Sequence, residues 1–274
     1  MNIFDSALVQ LKKVADSIDL PEGLLERLQN PDRTIQLNFP LKKDGGSLKI
    51  MNGYQQKIFV EENTFLQRAL SFKFLLSITI LTFSILAFLA HHYKYFNFDL
   101  TITVFIQQFN AFWFDGLMKL ITFIGNPIPV TVLIFLVTIC GYLFAGKKTA
   151  LAIVFSTTGG IILSTILKII VARPRPDPHL INQIGQYFQA DSFPSGHVLE
   201  SVSLFGFVLY FAYTHLKIGW FRRIVIVKCI AVMILMGLSR IYLGAHWFSD
   251  VLGAYLIGFV WLAVVVSIHH KVKI

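Results

Sequence analysis

Six stretches of about 20 mostly apolar residues, 72–91, 127–145, 149–171, 197–216, 223–243 and 250–268, constrain this chain more than any other feature. Runs of that length match the roughly 30 Å of bilayer hydrocarbon, where a backbone must satisfy its own hydrogen bonds, so they read as membrane-spanning α-helices. A soluble globule would not carry 55% hydrophobic residues against 14% charged, nor a mean hydropathy of +0.66. An even number of spans puts both termini on one side. Lys147 and Lys148 follow the second span, Lys217, Arg222 and Arg223 the fourth, and Lys271 and Lys273 the sixth, which makes that side cytoplasmic. The expected fold is an all-α, six-helix, multi-pass protein of the plasma membrane. Its membrane domain covers 61–274, and a small α+β N-terminal extension covers 1–60.

The extension shows two periods. Leu8, Leu11, Ala15 and Ile18 mark one helical face, and Pro21 opens a second short helix through Leu28. From Ile35 the pattern alternates through Leu37, Phe39 and Leu41, Lys43-Asp44-Gly45-Gly46-Ser47 supplies turn chemistry, and Leu48 and Ile50 resume the alternation, which predicts a β-hairpin. So short a segment has little core of its own, and packing against a partner or self-association through residues 1–60 is the expected use of it, with a regulatory sensor as the alternative. The first apolar run begins near Phe72, far beyond the place of a cleavable signal.

Charge at the edge of hydrocarbon is costly, so its recurrence at the other ends of the spans points to a shared polar site. Three patches lie there: Lys168 with Arg175 and Pro176; Pro194-Ser195-Gly196-His197; and Arg240 with His246 and Asp250. Phosphoryl transfer needs cationic donors around the nonbridging oxygens, a nucleophile, and an acid for the leaving oxygen, and the three patches contain all of these. Arginine offers a planar fork to phosphate and lysine a compact charge. Ser195 and Gly196 open a predicted helix whose first N–H groups favour an anion, although Pro-Ser-Gly alone is more often only a cap. His197 is a candidate proton donor. His246 and Asp250, four apart, share a face if the helix is continuous, and the carboxylate would then fix the imidazole tautomer. Such a pair is equally at home in a structural hydrogen bond or a metal site. The excess of Lys and Arg over carboxylates argues for an anionic ligand, so neither a metal centre nor a cofactor is expected.

In order and without a missing member, Lys168-x6-Arg175-Pro176, Pro194-Ser195-Gly196-His197 and Ser239-Arg240-x5-His246-x3-Asp250 resemble the three motifs of the type 2 phosphatidic acid phosphatase (PAP2) superfamily. The resemblance covers roughly 70–270. It implies a metal-independent membrane phosphatase whose site opens to the outer leaflet. It also implies His246 as a nucleophile forming a phosphohistidine, Asp250 as its orienter, His197 as general acid, and Lys168, Arg175, Ser195, Gly196 and Arg240 as phosphate-binding residues. Arg173, Asp177 and His179 lie in or beside the first motif but outside its matched positions. From Phe4 to Tyr54 the chain also resembles the extreme N-terminal segment of glutamate, leucine and phenylalanine dehydrogenases. No GxGxxG follows a predicted strand, so dehydrogenase activity is not implied.

The remaining features read more blandly. The net charge of +9 is accounted for by basic loops facing lipid headgroups and by the cationic site, with no nucleic acid required. Cys140 and Cys229 fall inside spans and read as small hydrophobes. For the basic side chains at these span ends a shared function is favoured, with ordinary interfacial snorkelling as the alternative, a stronger one for Arg173 than for the group. His91-His92 and His269-His270 read as interfacial residues, and Glu200, three after His197, either tunes it or is satisfied locally. The aromatic segment 95–126 reads as an outer interfacial or re-entrant stretch. The expected substrate is a lipid phosphate or diphosphate, with phosphatidylglycerophosphate, phosphatidate and undecaprenyl diphosphate as candidates, among membrane lipids as the other partners. A lipid phosphotransferase and a non-catalytic scaffold recruiting a partner through the N-terminal module are the alternatives.

Overall fold

The computed structural model of the chain describes residues 9, 34–42, 48–56, 72–185 and 191–271. Contacts divide the chain into two units, Met1–Leu70 and Ser71–Ile274. In the first, β1 (Thr34–Lys42) and β2 (Leu48–Gln56) pair antiparallel, with Thr34 opposite Gln56 and Lys42 opposite Leu48. The strands fall on the two alternating stretches. The turn at 43–47 and the helices expected over 8–28 lie outside the described residues.

Among the described residues the second unit is all helical: α1 (Phe72–His92), α2 (Asn97–Gln107), α3 (Phe112–Ile124), α4 (Pro127–Val171), α5 (Gly196–His215), α6 (Trp220–Tyr242) and α7 (Phe248–Lys271). Five of these, α1, α4, α5, α6 and α7, are long and apolar enough to cross a membrane. At 45 residues α4 would measure about 67 Å if straight, twice the hydrocarbon thickness. Its backbone leaves the helical region at Gly146, with φ 80° and ψ −176°, a conformation that glycine adopts without penalty. A Cβ on Gly141 would fall 2.6 Å from Ile153 Cδ1, whereas a straight helix would hold the two positions about 18 Å apart. The chain therefore reverses at Gly146, and segments 127–145 and 147–171 run antiparallel. The two apolar runs that the sequence separates at Lys147 and Lys148 meet at this turn.

The aromatic segment, expected to be an outer interfacial or re-entrant stretch, forms two short helices. With 11 and 13 residues, α2 and α3 reach about 16 and 20 Å, too short to cross. Phe105, Phe112, Trp113 and Phe123 point outward, while Asp99, Thr103, Met118 and Ile121 are buried. Met118 packs with Tyr242 and Leu243 at the end of α6, and Ile121 joins Val198, Leu199, Met236, Ile241, Val251 and Ala254 between α5, α6 and α7.

Close approach and buried polar contacts hold these helices together, as expected where lipid supplies no hydrophobic drive between them. Tyr255 packs against Gly237 so tightly that a Cβ there would lie 2.3 Å from its hydroxyl, which donates to the Met233 carbonyl at 2.6 Å. Trp261 Nε1 donates to Ser156 O at 2.8 Å, and Ser156 Oγ to Ser203 O at 2.7 Å. The C-terminal ends of α4 and α6 and the N-terminal ends of α5 and α7 gather at one end of the bundle. The Gly146 turn, the end of α5, the start of α6 and the end of α7 form the other.

Candidate active site

The helix ends that gather at the first pole carry all eight sequence-predicted residues. Lys168 is on the last turn of α4, Arg175 follows that helix, Ser195 is the N-cap of α5, and Gly196 and His197 are its first residues. Arg240 is on the last turn of α6, His246 in the α6–α7 connection, and Asp250 on the first turn of α7. They lie within one another's electrostatic reach: Lys168 senses Arg175, Asp250 and Arg240, while His246 senses Asp250, Arg240 and Arg175. Gly196 faces Lys168, since a Cβ there would stand 3.9 Å from Lys168 Cε and 3.3 Å from Ser164 Oγ. Gly244, at φ +69°, carries the tight turn before His246, and a Cβ there would meet the Asn182 carbonyl at 2.6 Å.

Ser195 answers the cap alternative. As N-cap of α5 it makes no side-chain cap hydrogen bond, and its hydroxyl is buried without a partner among the described residues. A buried, unpaired hydroxyl costs free energy unless a ligand supplies the partner. Its own N–H donates to the Asp250 carbonyl at 3.1 Å, which ties the start of α5 to the start of α7.

His246 and Asp250 are near each other by a route the spacing did not show. The helix begins only at Phe248, so the two do not share a continuous helical face. His246 Nδ1 stands 3.6 Å from Asp250 Oδ2, beyond hydrogen-bond range. Ser192, a residue the sequence gave no reason to select, sits between them: its Oγ is 3.3 Å from His246 Nδ1 and donates a short hydrogen bond to Asp250 Oδ2. That direction leaves the Ser192 oxygen to accept the Nδ1 proton and leaves Nε2 of His246 as the free lone pair. Burial pushes the His246 imidazole down to about 3, against the opposing pull of the Asp250 carboxylate, so the ring is neutral near pH 7.

Asp250 is fixed from its other side by Arg173, whose burial rules out the snorkelling alternative for that residue. Arg173 is 0% exposed. Its guanidinium donates to Asp250 Oδ1 at 2.6 Å, to Ser249 Oγ at 2.7 Å and to Asp99 Oδ2 at 2.9 Å, and its Nε reaches the Lys94 carbonyl at 3.2 Å. Phe96 covers the guanidinium face at 5.0 Å. Asp99 also accepts Ser249 N at 2.8 Å and Ser249 Oγ at 2.7 Å. A chain of buried polar groups thus runs from α2 through Arg173, Asp250 and Ser192 to His246. Asp99 and Arg173 are separated by 74 residues, and nothing in a single sequence pairs them.

His197 stands apart from this chain. Its Nε2 is 3.4 Å from Asn126 Oδ1, at the outer edge of hydrogen-bond range, and its ring packs on Gly125, where a Cβ would fall 2.7 Å away. Glu200 and Ser201 line a cavity of about 10 Å³ next to it, room for one water. Lys168 Nζ donates to the Asp191 carbonyl at 3.1 Å and Arg175 to the Ala245 carbonyl at 3.0 Å, which helps to orient both side chains. Among the described residues no group of three or more His, Cys, Asp or Glu could hold a metal ion. The donor set is that of an anion site next to a neutral imidazole.

Donors suited to an anion, gathered at one pole of an apolar helical bundle, are what a membrane protein acting on a phosphate would need, and comparison with known proteins points to such a class. Residues 149–274 match the PAP2 superfamily. Phosphatidylglycerophosphatase B of Bacillus subtilis is 30% identical over 168 residues, covering 59% of this chain and 78% of that protein. The crystal structure of a transmembrane PAP2-type phosphatidylglycerolphosphate phosphatase from Bacillus subtilis superposes with a TM-score of 0.63 at 25% identity, over 72% of this chain and 97% of the other. This chain belongs to the PAP2 superfamily of membrane phosphatases. A separate likeness is confined to a short segment: glutamate dehydrogenase B of Halobacterium salinarum is 33% identical over 51 residues, covering 19% of this chain and only 12% of the enzyme.

Proposed function

We propose that the protein hydrolyses a lipid phosphomonoester or lipid diphosphate at the outer leaflet, without a metal ion, through a phosphohistidine. The observation that carries this reading is the buried, unpartnered Ser195 hydroxyl at the start of α5, flanked by Lys168, Arg175, Arg240 and two imidazoles. Phosphate nonbridging oxygens accept from that hydroxyl, from the first N–H groups of α5 and from the three cations. His246 Nε2 attacks phosphorus, and the P–O bond to the lipid breaks as His197 gives its proton to the departing oxygen. The Nδ1 proton stays on the imidazole, held by Ser192 and Asp250, while the new N–P bond makes the ring cationic. Water then attacks the phosphohistidine, His197 takes its proton, and inorganic phosphate leaves.

Counting the reversal at Gly146 gives six crossings. Lys147, Lys148, Lys217, Arg222 and Arg223 lie at the end opposite the site, so by the charge rule both termini are cytoplasmic and the site faces outward in the plasma membrane. Phosphatidylglycerophosphate is the first substrate to test, given the Bacillus relative, followed by phosphatidate and undecaprenyl diphosphate. The purified protein, in excess EDTA, is offered each lipid and the released phosphate measured. His246→Ala should remove both turnover and an acid-labile phosphoenzyme. Wild-type turnover in that variant, or a strict requirement for added Mg²⁺ or Zn²⁺, refutes the mechanism. Phosphate passed to an added alcohol in preference to water would favour a phosphotransferase instead.

A further inference from the structure

At the pole opposite the catalytic cluster, the structure contains a second site. A cleft of about 670 Å³ opens between the two halves of α4, the last turns of α5, the start of α6 and the end of α7. Its walls are aromatic, with Phe144, Phe207, Phe211 and Phe221, and the outer two are 84% (Phe144) and 57% (Phe221) exposed. Its polar lining is basic, with Lys148, His215 and His269 and no carboxylate.

His269 departs from the interfacial role expected of it. It is 7% exposed, its Nδ1 lies 3.2 Å from the Tyr210 hydroxyl, and its Nε2 is buried with no partner among the described residues. An unpartnered buried imidazole nitrogen beside a lysine calls for a polar occupant, and the aromatic walls call for an apolar one. We propose that the cleft binds a phospholipid with an anionic headgroup, its acyl chains along the phenylalanines and its phosphate oxygens at Lys148 and His269.

The charge of the surroundings agrees, since Lys147, Lys217, Arg222 and Arg223 crowd the same pole. A helix from a second copy of this chain fits less well. It would cover the phenylalanines but desolvate Lys148 without giving it or His269 an acceptor. A soluble anion would leave the aromatic walls to solvent or detergent. The proposal does not depend on the reaction at the opposite pole.

Native mass spectrometry of the full-length protein in detergent tests it, with phosphatidylglycerol and phosphatidylcholine of identical acyl chains titrated separately. Wild type should retain phosphatidylglycerol about fivefold more tightly or better, and Lys148→Gln should remove that preference while Lys148→Arg keeps it. Ala145→Trp, which fills the cleft, should weaken both lipids, whereas Arg222→Gln/Arg223→Gln, in the first turn of α6 and not among the residues lining the cleft, should leave the adduct in place. Equal retention of the two lipids by wild type overturns the proposal. So does a preference that survives Lys148→Gln, or one lost equally in the Arg222/Arg223 variant. Retention of glycerol 3-phosphate as tightly as the lipid, or a lipid-free dimer that excludes lipid, would also overturn it by identifying a different occupant. Should Lys148→Gln fail to fold, the wild-type comparison and Lys148→Arg still decide.

Discussion

Removing the Ser192 hydroxyl tests how the nucleophile is held. In Ser192→Ala, Asp250 keeps Arg173 on Oδ1 at 2.6 Å and the Trp247 N–H on Oδ2 at 2.9 Å, so the carboxylate stays in place. His246 Nδ1 loses its acceptor, and the direct distance to Oδ2 is 3.6 Å, several tenths of an ångström too long. A hydrogen bond to an ionised group contributes about 1.5–3 kcal/mol, which corresponds to a fall in kcat of roughly 10- to 150-fold, less whatever the ring recovers by moving toward Asp250. Because Ser192 faces the imidazole and not the phosphate, KM should change little. Steady-state release of phosphate from a lipid phosphate gives both parameters, and rapid-quench measurement of the phosphoenzyme shows whether its formation is the slowed step. The double variant Ser192→Ala/Asp250→Asn should be no slower than Asp250→Asn by more than about twofold, since both changes sever the same chain. Wild-type kcat in Ser192→Ala, or fully additive losses in the double variant, would refute the idea that the serine links the two residues.

Arg173→Met leaves Asp99 and Asp250 buried together without their cation and should cost about 3–5 kcal/mol, read as thermal unfolding in detergent, with Asp99→Asn in the same chain restoring part of it. Stability should also fall with acid through His246, whose folded value of about 3 lies below that of a free imidazole. Above about pH 6.5 neither state binds the proton; between there and pH 3 only the unfolded chain does, so stability drops by up to about 1.4 kcal/mol per pH unit, and His246→Asn should flatten that slope in a melting series. The proposed catalytic residues all fall within the unit Ser71–Ile274, so a chain beginning at Glu62 should keep its turnover on solubilised substrate while its mass by light scattering changes. Lost turnover in a folded truncation would couple the extension to catalysis.

What was legible in the sequence followed from local rules. Apolar runs of bilayer length fix the helices to within a few residues, and the ends of those runs carry Lys168, Ser195, Arg240 and Asp250 together at one pole. Where the reading failed, the deciding partner was remote. Snorkelling stands as an alternative for Arg173 until Asp99, on a helix that the sequence showed only as an aromatic stretch, is brought to it. Ser192 has no periodic signal, and it matters because the chain before α5 lays it between His246, in the α6–α7 connection, and Asp250, in the first turn of α7. The i to i+4 spacing of His246 and Asp250 suggested the correct pair for an incomplete reason, because the helix that would have aligned them starts between the two.

The same network explains how a carboxylate can sit beside a phosphate site without disabling it. On the proposed mechanism Lys168, Arg175 and Arg240 serve as donors to an anion, and a free Asp250 among them would pair with one and close the site. Arg173 prevents this. It occupies Oδ1, while Ser192 and the Trp247 N–H occupy Oδ2, so the carboxylate is saturated from the side away from the cations. Asp99 in turn saturates the remaining face of Arg173, and that guanidinium, wholly buried, is not available to substrate. The α2 helix that carries Asp99 is too short to span the membrane, yet it supplies a second carboxylate to Arg173 beside Asp250. Two carboxylates and one arginine thus form a closed unit behind His246, the proposed nucleophile.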